Sequence, residues 1–591
     1  MSVVFPKSKT RPLTFLFLGL VLLLAILWGS RPLIHDDLFF HLATGQYVVE
    51  HLRVPTTDVF SFTRFGQPWV SHEWGFGVVA HFSWFAAGYW GLVALKAALT
   101  VAILMLLLIL TIRASGASIT HLPPGLVALL ALGLWAIDGQ LILRASLFSS
   151  LFVLLLLLLL TWFDRTGSRI AMVAIATLFL LWGNFHGEVV FGLFVLGLVT
   201  MESLAGRWLG RRGGSVPFYL KAGGDRPYLP LLLGSFLLSL LNPNGIQVLL
   251  YPLRLARFLF VGEVPMEMGH FTGAAPAAMP AFYLLVIALL WGLLPLHRAK
   301  ALSLTQIVTV TAFLVLSLRS HRFIFYFTLF ALPVIARLAS QPGDLLAAGK
   351  RWRRVRQALV GVTVVAVATA SLYAWQHHPR VAVSRHFPAG AVRFLEQRKI
   401  AGRLFNHQNY GGYLHWTLST PIFWDGRNLL FASLMEEVRQ TPLDDVAKEW
   451  ALDYLVLTEF EYARLVDQLD PARWGLVYWD DFAAIYLRRG GRFEAIVESH
   501  GLRHFPPFGG VEGLDTRAQD ADLVAALRHE LDQVLATEPA CQRALYLLGL
   551  LSFYQGDDPK AERLLRQALA IGPNEFVSGA LERILDRQPA Q

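Results

Sequence analysis

From residue 147 to 163 the chain reads LFSSLFVLLLLLLLTWF, an uncharged stretch bounded by Arg144 and Asp164. A helix rises 1.5 Å per residue, so about 20 apolar residues cross a hydrocarbon core roughly 30 Å thick, and this run reads as a membrane span. Outward from it, runs of the same kind lie at 13–30, 89–112, 123–137, 170–183, 189–204, 228–241, 281–295, 302–318, 323–339 and 357–375. That makes about eleven spans, all in the first two thirds. The whole chain agrees: 591 residues, 55% hydrophobic, 16% charged against ~25% in globular proteins, and a mean hydropathy of +0.50. This is not the composition of a soluble protein. The single cysteine, Cys541, excludes intramolecular disulfides, Cys-rich zinc modules and thiol relays.

The net charge of +9 divides unevenly, with 28 basic and 13 acidic residues up to Gln376 and 23 and 29 after it. The membrane part is therefore +15 and the remainder −6, and the excess gives no reason to expect a nucleic-acid partner. With the N-terminus inside, 19 of the 28 Lys/Arg fall on its side, including Arg207, Arg211, Arg212, Lys221 and Arg226 in one loop. The positive-inside rule then places the N-terminus in the cytoplasm, and an odd number of spans places everything after Trp375 outside. The first run follows Lys7, Lys9 and Arg11 and ends in Trp28-Gly29-Ser30-Arg31-Pro32 with no small-x-small site, so it is expected to remain as a span. Sorted by side, Asp36, Asp37, His72, Glu73, Arg144, Asn184, His186, Glu188, Arg319 and Arg322 all fall at external span ends or in external loops. Ionisable groups are costly at membrane depth and usually line a cavity or substrate path. A shared external cavity is the expectation.

The first external loop, residues 31–88, opens Arg31-Pro-Leu-Ile-His35-Asp36-Asp37-Leu-Phe-Phe-His41. Leu38, Phe39, Leu42, Tyr47, Val48 and Val49 predict a short interfacial helix from Asp37 to His51, with the acids at its positive N-terminus. Val54-Pro-Thr-Thr-Asp58 ends it; 60–63 and 68–71 then read as a hairpin about Gly66, and His72-Glu73-Trp74 begins a second apolar helix. Adjacent carboxylates near a bilayer suit either of two chemistries. One of them can accept a proton from an incoming hydroxyl, its pKa raised by burial and by the like charge beside it. Alternatively the pair, with His72 or Glu73, holds a hard divalent cation. Helix capping by Asp36 is the plain structural alternative.

At these residues the chain resembles a bacterial branch of the GT-C membrane glycosyltransferases, whose relatives include protein O-mannosyltransferases, oligosaccharyltransferases and the aminoarabinose transferase of lipid A. The resemblance rests on His35-Asp36-Asp37-Leu-Phe-Phe-His41-Leu-Ala-Thr-Gly45, Pro55-Thr-Thr-Asp58-Val-Phe-Ser61 and Gly66-Gln-Pro-Trp69-Val-Ser-His72-Glu73-Trp74. Shorter matches are Asn184-Phe-His186-Gly187, Asn242-Pro-Asn-Gly245, Arg319-Ser-His-Arg322, Asn409-Tyr-Gly-Gly-Tyr413 and Trp424-Asp425-Gly426-Arg427, so it spans about residues 13–490. It implies an inverting transferase that takes sugar from a polyprenyl-phosphate carrier on the external face, with a first-loop acid at the catalytic centre. The branch carries acids separated by one residue. Here His35 takes the outer position, and Asp37, with its better aligned Leu-Phe-Phe-His41 context, is the first choice for catalysis, with Asp36 second.

A lipid-phosphate donor develops negative charge where the phosphate leaves, so it calls for cations there, and Arg144, Arg319 and Arg322 at external span ends are the candidates. Arg144 reads equally as a partner of Asp138. His41, His72, Glu73, Asn184 and His186 are candidates for holding the substrate, while a divalent metal (Mg or Mn) on Asp36, Asp37 and Glu73 is the alternative use of the acids. No GxGxxG, Walker loop, HExxH or GxSxG elbow occurs, and those classes drop out.

The expected architecture is a polytopic α-helical membrane domain (1–376), an external α/β module (377–490) and a helical tetratricopeptide-like tail (491–591), in which Pro539 and Pro573 lie one 34-residue period apart. The expected location is the inner (cytoplasmic) membrane, with membrane lipid, a lipid-linked sugar and a protein, glycan or lipid acceptor as partners, and a protein partner open to the tail. A lipid-linked-sugar flippase and a membrane-anchored scaffold acting through the tail are the rival readings. The flippase should show a repeat of broken spans, which is not seen.

Overall fold

In lipid a backbone can satisfy its own N–H and C=O groups only within a helix or a closed barrel, and helices are what the apolar runs form. The computed structural model describes residues 11–31, 33, 37–119, 122–212, 226–261, 280–293, 300–340, 369, 387–509, 511 and 513–586. They divide into two units: Met1–His35, Thr44–Thr56 and Val70–Val383 form the first, and Asp36–Ala43, Thr57–Trp69 and Ser384–Gln591 the second.

The first unit contains α1 (Arg11–Gly29), the end of α2 (Asp37–His51), α3 (Trp74–Ser115), α4 (Pro124–Ile137), α5 (Ala145–Thr166), α6 (Arg169–Phe185) and α7 (Val189–Arg211). It continues with α8 (Tyr228–Ser239), α9 (Gln247–Val261), α10 (Pro280–Leu293), α11 (Leu304–Arg319) and α12 (Ile324–Ala339). Ten of the eleven expected spans fall on these helices; the last, 357–375, lies outside the described residues but for Thr369. Among the described residues, α3, α5, α7 and the stretch His321–Ala339 are long and apolar enough to cross a membrane, and six further apolar helices are shorter. Large side chains such as Phe15, Ile26, Leu237, Ile287 and Trp291 point outward uncovered, which suits lipid rather than water. These helices fit a multi-pass membrane protein.

α2 begins and ends where its spacing predicts, and Leu52 leaves it in the left-handed region at φ 51°. α3 joins two pieces across a kink at Ala87 and Gly88, so the short helix begun at Trp74 runs into the expected span. Gly45 packs so closely on α3 that a Cβ there would stand 2.1 Å from the Gly77 carbonyl oxygen. That explains the glycine closing the motif begun at His35.

The second unit is built on a four-stranded sheet in the order β1 (Leu404–Asn406), β2 (Tyr454–Leu457), β4 (Ala484–Arg488), β3 (Trp474–Trp479). β1 and β2 run parallel, while β4 is antiparallel to both β2 and β3. β2 is buried along its whole length, as a central apolar strand should be. Around the sheet lie α13 (Ala389–Gln397), α14 (Gln408–Leu418), α15 (Asn428–Gln440), α16 (Leu443–Glu449), α17 (Glu459–Leu465) and α18 (Glu494–His500). The chain then forms a short α19 (Leu514–Arg517), α20 (Ala521–Thr537), α21 (Gln542–Tyr554), α22 (Asp558–Ile571) and α23 (Glu575–Leu585).

Among the described residues of this unit, one hydrophobic cluster runs from Phe405 and Trp479 through Leu527 and Leu551 to Ile584. One expectation changes here. The stretch 60–63 does not form a full hairpin with 68–71. That turn keeps a Thr57–Pro68 bridge and the Asp58 N–H to Gln67 C=O bond of 2.8 Å, while Ser61 bridges in parallel to Ile422. Phe62 N–H donates to Ile422 C=O at 3.0 Å and Ile422 N–H to Phe60 C=O at 3.1 Å.

Candidate functional site

In the second unit Asp37 is the first residue of α2, half-buried, with its carboxylate against Gly426: a Cβ on that glycine would stand 2.3 Å from Asp37 Oδ1. Asp36 and His35 lie outside the described residues. His41, one turn on, is buried with its ring 4.1 Å from that of Phe40. Beside Gly426, Arg427 is 4% exposed, and its guanidinium meets Asp58 at 2.7 Å and Asp425 at 2.8 Å while lying over the Trp69 ring at 4.6 Å. Asp58 is fully buried and also accepts from the backbone N–H groups of Phe60 and Ser61 at 3.2 and 3.1 Å and from the Ser61 hydroxyl. A buried guanidinium needs such partners, because each charge removed from water costs several kcal/mol unless paired. The first-loop motif and the Trp424-Asp425-Gly426-Arg427 turn thus meet, although more than 350 residues separate them in the chain.

In the first unit the residues before α3 and in the α6–α7 turn converge. His186 Nε2 lies 3.1 Å from Glu73 Oε1, and its Nδ1 lies 3.0 Å from Glu188 Oε2 and 2.9 Å from Ser149 Oγ. Ser149 Oγ in turn accepts from the Trp182 indole at 2.9 Å. His72 Nε2 stands 3.8 Å from Glu73 Oε2, its Nδ1 faces the Val70 carbonyl at 3.2 Å, and its ring packs on Tyr251 at 4.1 Å. Glu188 completes the cluster by accepting from the Tyr326 hydroxyl and facing Arg322 at 3.5 Å. Burial works against charging His186, but the Glu188 and Glu73 carboxylates outweigh it and raise its pKa to about 9. Burial dominates at His72 and lowers its pKa. Glu188 is held below the usual carboxylate range: burial pushes it up, and the His186 and Arg322 charges more than offset that.

Of the sequence candidates, the structure brings His72, Glu73, His186 and Arg322 into this one cluster. Asn184 stands beside it, but its amide donates to the Leu180 and Leu241 carbonyls at 2.9 Å each, tying the end of α6 to the end of α8. Arg144 is the N-cap residue of α5 and Arg319 ends α11, exposed. Asp138 pairs with Arg31 at 2.6 Å. Ser149 and Tyr326 in the first unit were not singled out by the sequence. Glu188 stood among its external polar residues, and Asp58, Asp425 and Arg427 in its motifs, without a role assigned to them. Of the expected metal set, Asp36 lies outside the described residues and Asp37 belongs to the second unit, while Glu73 of the first unit groups with His72 and His186.

No family model and no curated protein matches the chain. Among solved structures it is similar to an Archaeoglobus fulgidus oligosaccharyltransferase crystallised as a complex with zinc and sulfate, at 13% identity and a TM-score of 0.46, covering 80% of this chain and 73% of that one. At that level the likeness carries no argument about fold or function.

Proposed function

We propose that the protein is a membrane glycosyltransferase of GT-C type that moves a sugar from a polyprenyl-phosphate carrier to an acceptor hydroxyl, with inversion, on the external face of the cytoplasmic membrane. The observation that carries this reading is the meeting of two motifs of the resemblance, with Asp37 set against Gly426 of the Trp424–Arg427 turn in the second unit. Asp37 takes the proton of the acceptor hydroxyl as its oxygen bonds to the anomeric carbon, and the bond to the carrier phosphate breaks with its electron pair leaving on the phosphate. The position of Asp37 at the first turn of α2 supports the role, since the helix N-terminus favours the carboxylate before it accepts a proton. Asp36 is the second candidate for the base. Arg144, Arg319 and Arg322 of the first unit are proposed to bind the carrier phosphate, Arg's planar fork matching phosphate oxygens. The four helices α20–α23 are read as a tetratricopeptide-like stack.

The test supplies the purified chain with a labelled polyprenyl-phosphate hexose and follows release or transfer of the sugar. Asp37→Asn should lower turnover by about 100-fold or more, the scale of a lost general base. Undiminished turnover in both Asp37→Asn and Asp36→Asn would overturn the assignment; movement of the lipid across the bilayer without transfer would favour the flippase.

A further inference from the structure

The polar cluster of the first unit has a feature that the proposed transfer does not use. Both imidazoles have the ring nitrogen far from Glu73 committed to an acceptor: His186 Nδ1 to Glu188 and Ser149, His72 Nδ1 to the Val70 carbonyl. His186 Nε2 stands within hydrogen-bond distance of Glu73 Oε1, and the acceptors at the Nδ1 atoms favour the tautomers in which both Nε2 lone pairs would be open to an ion beside the same carboxylate. Metal-bound histidines are held in this way, their second nitrogen donating to a carboxylate or carbonyl that fixes the ring and raises its basicity.

The spacing agrees. One ligand atom from each of His72, Glu73 and His186 lies within 4.8 Å of the other two. A tetrahedral ion with ligands at about 2.0–2.1 Å sets them roughly 3.4 Å apart. His186 Nε2 lies 3.1 Å from Glu73 Oε1 and His72 Nε2 lies 3.8 Å from Glu73 Oε2, one imidazole to each carboxylate oxygen and either side of that value. Charge agrees as well: with an ion in place of the proton on His186 Nε2, the Glu73 and Glu188 carboxylates outnumber the adjacent Arg322 guanidinium among the described residues. Two imidazoles and one carboxylate suit a borderline divalent ion such as zinc, whereas magnesium prefers a shell of oxygens and several waters.

We propose that His72 Nε2, Glu73 and His186 Nε2 bind a divalent transition-metal ion of the zinc class, with Glu188 as the positioning residue for His186 and a fourth position left to water or an oxygen anion. The ion ties the start of α3 to the α6–α7 turn. This site is separate from the Asp37 assignment and stands whether or not that assignment holds.

The experiment uses the full chain in detergent, its affinity tag removed, stripped with a chelator and titrated with zinc against a chromophoric competitor. Wild type should take up one zinc per chain, with an X-ray absorption spectrum containing two imidazole nitrogens. The spectrum matters because the chain has 18 histidines that can bind zinc adventitiously. His72→Ala, at a half-buried loop position, should abolish stoichiometric binding, and Glu188→Gln should weaken it about 10-fold or more while changing the imidazole signature. If wild type binds no stoichiometric zinc, the cluster is an imidazolium–carboxylate network and the proposal fails. It fails equally if His72→Ala and His186→Ala each keep full uptake, or if the spectrum lacks two imidazoles.

Discussion

Arg427 is the residue on which the second unit's buried charge depends. Asp58 and Asp425 share it, and all three are almost wholly out of water. Arg427→Met keeps the side chain's bulk but leaves two carboxylates facing each other without a cation. We expect a loss of roughly 3–5 kcal/mol, read as a large drop in the thermal midpoint of the purified full chain. Arg427→Lys should fall between, because an ammonium cannot reproduce the fork that reaches both acids. A Met variant as stable as wild type would refute this account of the network. At this scale the sequence was informative for Asp37, whose place at a helix start followed from the apolar spacing after it. It was silent on the pairing of Arg427 with Asp58 and of Arg322 with Glu188, because those acids lie hundreds of residues, or more than a hundred, away along the chain.

Among the elements, α2 and α3 show how a motif glycine acts. The Gly45 backbone sits where the Gly77 carbonyl leaves no room for a methyl group, and a backbone atom cannot swing aside as a long side chain can. Gly45→Ala should therefore cost about 1–3 kcal/mol and reduce the yield of folded protein in membranes. Gly125→Ala in α4, where a Cβ would meet nothing within 4 Å, is the matched control and should be neutral or slightly stabilising. Equal behaviour of the two variants would count against close packing of α2 on α3. Helices with strong apolar runs or well-spaced faces were legible: α2 and α5 begin and end close to where the pattern places them. α14 was not, because Gly411-Gly412 reads as a break until the second unit supplies the packing that holds them in a helix.

For the molecule as a whole, the charge asymmetry yields a topology that can be checked directly. Cys541 is the chain's single cysteine and is buried, so a Cys541→Ser background leaves no native thiol. On that background, Ser499→Cys, at an exposed position of the second unit, should react with a membrane-impermeant maleimide in intact cells. Arg211→Cys, exposed at the end of α7, should react only after the cells are opened. The reverse pattern would invert the orientation drawn from the positive-inside rule.

What the sequence determined by itself was solvent, in the stretches apolar enough for lipid and in where their helices run; its loop charges supply an expected orientation. These follow from local composition and loop charge, and both are properties of neighbouring residues. The tertiary structure decided which distant residues share a site. It joined Asp37 to Gly426, Arg427 to Asp58 and Asp425, and the two histidines to Glu73 and Glu188. The physical reason is that a buried charge or imidazole is held by whatever opposite charge or acceptor the fold brings within about 3 Å, and no local pattern in the chain records where that partner lies.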